Sequence, residues 1–128
     1  MKLLLDTHAF LWAIGDPGRL SPNSRNAIED ARNDLLLSLA SVWEIAVKSG
    51  LGKLTIPKPA VPFVQRQVVL HRMAMLNIQV AHLAAVERIP AHHRDPFDRM
   101  LVAQALEERI PLISGDRQLR KYGLQIIW

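Results

Sequence analysis

Short apolar runs that alternate with helix-patterned segments constrain this chain more than any other feature. KLLL (residues 2 to 5), DLLLSL (34 to 39), PLIS (111 to 114) and LQIIW (124 to 128) are too short for helices and too apolar for exposed loops. Between them lie THAFLWAI, broken by GDPG, then NSRNAIEDARN with Pro22 near its start, and ASVWEIAVKSGLG, stopped by glycines at 50 and 52. After a proline-punctuated loop, GKLTIPKPAVP, the pattern predicts a helix over FVQRQVVLHRMAML, a short strand over NIQVA, and a helix over HLAAVERI closed by Pro90. PFDRMLVAQALEER reads as a long helix and DRQLRKYG as a brief one ending in glycine. Strands that alternate with helices predict an α/β fold: a mainly parallel sheet flanked by helices, joined by right-handed crossovers, with sites beyond the carboxyl ends of the strands.

At 128 residues, the chain suits one domain spanning 1–128, and an apolar fraction of 49% is enough for a genuine core. The absence of cysteine excludes disulfides, thiolate catalysis and cysteine-held metals, so any metal must be held by oxygen or imidazole. With no secretory-type leader and no apolar run near the ~20 residues of a membrane span, the expectation is a soluble, cytoplasmic protein. The formal net charge of +4 favours an anionic partner such as nucleic acid, although ordinary solubilising charge explains it equally well in isolation.

Four acids fall where strands give way to helices. Asp6 follows KLLL, Glu44 stands in the expected first turn of the helix after DLLLSL, Asp98 opens the long helix, and Asp116 follows PLISG. Each has a plain structural explanation. Asp6 and Asp116 suit helix caps, Ser41 to Glu44 matches a capping box, and Asp95-Pro96-Phe97-Asp98 matches a capped helix start. Together they mean more, because the carboxyl ends of parallel strands lie along one edge and carry such acids into one pocket. Crowded carboxylates repel unless a cation joins them, and oxygen ligands without thiols suit Mg2+ or Mn2+. An acidic metal pocket in a basic protein is the pattern of a nuclease.

LLLDTHAFLW, SLASVWEIAVKSGLGKL, HRDPFDRMLVAQA and LISGD, in this order and spacing, resemble the PIN-domain ribonucleases, and among them the VapC toxins of toxin–antitoxin pairs. The resemblance implies a small α/β sandwich and Mg2+- or Mn2+-dependent endonucleolytic cleavage of RNA. It also implies dimerisation, neutralisation by a VapB-type antitoxin, and contact with operator DNA only through that antitoxin. It carries the catalytic role onto Asp6, Glu44, Asp98 and Asp116, with Asp6, Asp98 and Asp116 as metal ligands and Thr7 and Ser114 as polar helpers.

The neighbouring residues have simpler expectations. Asp95 reads as a helix cap, and His92 and His93 as a polar loop near the RNA path rather than a zinc site. Lys48, four residues after Glu44, suits a helical ion pair or a phosphate contact. Arg94, Arg99 and Arg117, with Arg120 and Lys121, are the candidates for substrate phosphates, weighed against a merely solvated basic face. His8, just beyond the first strand, is expected either to face the site or to lie on a helix surface. Trp12, Trp43 and the Phe63 to Leu76 stripe are expected in the core, while part of the surface around residues 35 to 80 would receive the antitoxin. Two alternatives remain in view: a catalytically inactive module of the same fold that binds RNA or protein, and an aspartate-dependent phosphotransfer domain. The second expects an acid two residues after Asp6, where His8 stands.

Overall fold

The computed structural model describes residues 1–128. Five strands, β1 (Lys2–Leu5), β2 (Asp34–Ser38), β3 (Ala74–Leu76), β4 (Leu112–Ile113) and β5 (Ile126–Ile127), form one sheet in the order β3-β2-β1-β4-β5. Every pairing is parallel. Six α-helices connect or follow them: α1 (Thr7–Gly15), α2 (Pro22–Glu29), α3 (Leu39–Gly50), α4 (Ala60–Leu70), α5 (Val80–Arg88) and α6 (Pro96–Glu108). Two 3-10 turns occupy Pro17–Arg19 and Arg117–Tyr122. No helix is long and apolar enough to cross a membrane.

The three leucines of β1 explain the layering. Side chains alternate across a strand, so Leu3 and Leu5 enter one core with Phe10, Leu37, Ile45 and Val64. Leu4 enters the other with Ala40, Leu101, Val102 and Leu112. All three are completely buried, as a central parallel strand covered on both faces requires. From β1 the chain first builds outward through β2 and β3, then returns to build β4 and β5 on the other side. The reversal opens a crevice beyond the ends of β1 and β4, where α/β sheets commonly place their sites.

The structure corrects the sequence reading in three places. The helix expected to run through Leu76 stops at Leu70, because Arg72 takes a left-handed conformation (φ 56°) and the Met73 amide folds back onto the Val68 carbonyl at 2.9 Å. Ala74–Leu76 therefore forms the third strand, in place of NIQVA, and pairs with Leu36–Ser38. The second helix ends at Glu29 rather than at Asn33, whose side chain bonds the Ala27 carbonyl at 2.9 Å. Finally, α3 begins at Leu39, with Ser38 as its cap accepting from the Ala40 amide at 2.9 Å. Ser41 and Glu44 thus do not form a capping box, and Glu44 lies in the second turn.

Candidate active site

Asp6 leaves β1 and caps α1, its Oδ1 accepting from the Ala9 amide at 2.7 Å. It is only 9% exposed, and burial pushes its carboxyl above the usual range, against the opposing pull of Ser114, the Ala9 amide and His8. Capping and membership in an acidic cluster therefore coexist in one side chain.

Thr7 follows, buried at the start of α1, and its hydroxyl lies 2.6 Å from Glu44 Oε1 and 2.9 Å from Ser41 Oγ. A hydroxyl has one proton to give, and a carboxylate only accepts, so Thr7 donates to Glu44 and takes Ser41 as its donor. Glu44 is 4% exposed, and its other oxygen, Oε2, is held by Lys48 Nζ one helical turn away. Both Glu44 oxygens are therefore engaged by protein groups. That bond raises the Lys48 pKa, an effect to which the fields of Asp95 and Asp98 add.

Asp98 stands third in α6. Asp95 caps that helix, accepting from the Phe97 amide at 2.8 Å and the Asp98 amide at 3.1 Å. Burial, then the charges of Asp95, Glu44 and Asp6, push Asp98 up to about 6, with His93 pulling the other way. These neighbours place three of the four acids in one electrostatic environment.

Asp116 completes the group from β4. It caps the 3-10 turn by accepting from the Gln118 amide at 2.9 Å, and its own amide bonds the buried Ser114 hydroxyl at 3.1 Å. Its Oδ2 faces His93 Nε2 at 3.1 Å, and ligand atoms of His93, Asp98 and Asp116 all lie within 4.8 Å of one another. The sequence pattern places His93 in a polar loop and gives it no ligand role. Its only signal was position, in the segment that must bring α6 to the sheet edge.

The basic candidates separate. Lys48 reaches the acids. Arg94 and Arg117 are exposed, and Arg117 and Arg120 border a recess of about 200 Å³ beside Ser114 and Gly115. Arg99 is occupied otherwise, donating to the carbonyls of Val86 at 3.0 Å and Pro90 at 3.1 Å, where it closes the end of α5. Trp12 packs on the first core, its ring tilted against that of Trp128 at 5.8 Å, whereas Trp43 is 55% exposed and meets Phe97 edge-on at 4.7 Å. The expectation of a buried Trp43 fails because α3 turns that face to solvent. His8 is exposed on α1, and it is still near enough for its charge to act on Asp6.

The donor set suits a hard divalent cation. It offers carboxylate oxygens and one imidazole, two of the acids are destabilised as anions, and no thiol competes.

Comparison with known proteins adds a family to this geometry. The PIN domain model matches residues 3–124. Ribonuclease VapC22 of Mycobacterium tuberculosis is 30% identical over 120 residues, spanning 94% of this chain and 91% of that protein. Ribonuclease VapC16 of the same organism is 39% identical over 61 residues, spanning 48% of this chain and 43% of that one. Among solved structures, a chain of VapBC2 from Rickettsia felis, bound to a DNA fragment of its promoter, superposes with a TM-score of 0.71 at 15% identity. That match covers 98% of this chain and 97% of that one.

Proposed function

The chain belongs to the PIN-domain family, and on that premise we propose that it is a divalent-metal-dependent endoribonuclease of the VapC type. The observation that supports the reading is that Asp98 belongs to two groupings at once: its ligand oxygen lies with those of Asp116 and His93, and burial with the charges of Asp95, Glu44 and Asp6 holds it near a pKa of 6. Four crowded acids cost stability unless positive charge is recruited to them, and such a cost is tolerated at functional sites.

Asp98 and Asp116, with Asp6 beside them, would hold the cation. Bound there, Mg2+ or Mn2+ supplies Lewis acidity toward a phosphodiester and neutralises charge that develops on it. The remaining chemistry belongs to this chain's own side chains. Thr7 and Lys48 fix Glu44 from both oxygens, which orients it without leaving it free to swing. The Ser114 hydroxyl steadies Asp6 and the Asp116 amide together. Arg94 and Arg117, exposed beside the acids, would hold neighbouring phosphates of the strand.

Partners follow from the relatives. Two are named ribonucleases of the VapC group, and the solved structure is a VapBC assembly. We extend to this chain a VapB-type antitoxin, action as a homodimer in the cytoplasm, and operator DNA reached only through the antitoxin.

The test is cleavage of structured RNA by purified protein in Mg2+ or Mn2+, repeated in excess chelator and with Asp6→Ala. Metal-dependent cleavage lost in the variant is the expected result. Cleavage that survives chelation or the substitution overturns the mechanism, and tight RNA binding without cleavage in either metal favours a binding module instead.

A further inference from the structure

His93 is the one member of the cluster that the acid-based reading does not use. We propose that His93 Nε2 is itself a metal ligand, forming with one oxygen each of Asp98 and Asp116 a three-atom face that prefers Mn2+ to Mg2+. The inference rests on the metal-dependent reading above and deepens it.

Three observations converge. The first is spacing: ligands about 2.1 Å from an octahedral ion lie about 3 Å apart when adjacent and about 4.2 Å apart when opposite. The 3.1 Å between His93 Nε2 and Asp116 Oδ2 matches an adjacent pair, and the common limit of 4.8 Å, slightly wider than an opposite pair, is one that a small rotation of the Asp98 side chain closes onto the same ion. A simple His–Asp ion pair explains the first distance but not the convergence of a second carboxylate on the same nitrogen.

The second is support from behind. Metal-bound imidazoles usually have their other ring nitrogen held by a polar neighbour, which fixes the ring's aim. The buried Tyr122 hydroxyl lies 3.4 Å from His93 Nδ1, and the His92 ring packs edge-on against Tyr122 at 4.9 Å between centroids. Tyr122 ends the 3-10 turn that Asp116 caps, so one six-residue turn delivers both a carboxylate and the support for the imidazole.

The third is the engagement of the other acids. Glu44 has Thr7 on one oxygen and Lys48 on the other, and Asp6 gives Oδ1 to the Ala9 amide. His93 supplies a donor that Glu44, held at both oxygens, does not. Because an imidazole nitrogen binds first-row transition ions better than the harder Mg2+, its presence shifts selectivity between these two ions toward Mn2+.

Pulsed electron paramagnetic resonance of bound Mn2+ detects directly coordinated nitrogen, whether or not RNA is cleaved. Wild type should show 14N modulation. His93→Gln should lose it and bind Mn2+ at least ~10-fold more weakly, with a smaller change for Mg2+. His8→Gln should retain the signal, and melting curves would show that each variant is folded. Mn2+ bound without nitrogen modulation, modulation that persists in His93→Gln, or no Mn2+ binding at all overturns the proposal. Nitrogen-coordinated Mn2+ in a protein that cleaves no RNA overturns the nuclease reading and leaves the His93 assignment standing.

Discussion

Two polar constellations are built into this small fold, and they obey opposite rules. One joins β2, α5 and α6: Ser38 donates to Gln104 Oε1 at 2.5 Å, and Gln104 Nε2 faces the Asn77 carbonyl and His82 Nδ1, both at 3.3 Å. The Gln79 amide also donates to His82 Nδ1 at 3.0 Å, and only His82 Nε2 is left without a partner, 3.8 Å from Glu108. Ser38, His82 and Gln104 are fully buried, and apart from His82 Nε2 their polar groups are paired without crowding like charges. The other constellation centres on Asp98, which the charges of Asp95, Glu44 and Asp6 oppose and which shares a cluster of ligand atoms with Asp116 and His93. Satisfied polarity fixes how helices pack, whereas unsatisfied like charge creates demand for a cation.

The contrast is sharpest if single substitutions break one constellation and spare the other. Asp98→Asn should leave a folded protein whose RNA cleavage falls by about 100-fold or more, the usual scale for losing one electrostatic group from a catalytic centre. Steady-state cleavage beside a melting curve would show it. Gln104→Ala should do the reverse. Stranding Ser38 and His82 in a new cavity should cost about 2–3 kcal/mol in urea unfolding, with unchanged affinity for Mn2+ per folded molecule.

A third effect is smaller and depends on pH. Asp98 has a folded pKa of about 6 against 3.8 for the free group, so between those values the folded state binds more protons. Stability of the metal-free protein should therefore fall as pH rises from about 4 to about 6 and remain low above it. Because Asp98 is partly solvated, screening reduces the effect to about 1.5 kcal/mol. Asp98→Asn should flatten the profile, and added Mn2+ should reverse the loss at pH 7. A rising profile over that window would show that the acids do not repel as described.

The smallest effect belongs to Asp95, which stands between the two roles. As the α6 cap it should cost about 1 kcal/mol when replaced by alanine. Its charge also helps raise Asp98, so Asp95→Ala should shift the fall in stability to lower pH. Full loss of cleavage with unchanged melting would instead make it a member of the site.

Legibility in the sequence was uneven for physical reasons. KLLL and the α6 segment were readable because burial on both faces of a strand, and a capped start with proline at the first helical position, leave strong local patterns. The start of β3 was not, since Arg72 breaks the preceding helix with a left-handed turn that no glycine announces. The sequence pattern places Glu44 one turn too early, because Ser38 and Ser41 are equally plausible caps in isolation. Only the register of β2 against β1 and β3 decides between them. Arg99 read as a phosphate contact, yet the end of α5 supplies carbonyls that sequence spacing does not reveal.

The sequence by itself determined the alternation of strands and helices, the absence of thiol chemistry, and the four acids at strand and helix junctions, because these depend on local pattern and residue type. Tertiary structure decided which of those groups meet. It brought His93 against Asp116 across 23 residues and Thr7 against Glu44 across 37, and it sent Arg99 to the end of α5. Distances of this kind arise from the order of strands in the sheet, β3-β2-β1-β4-β5, which no local segment encodes.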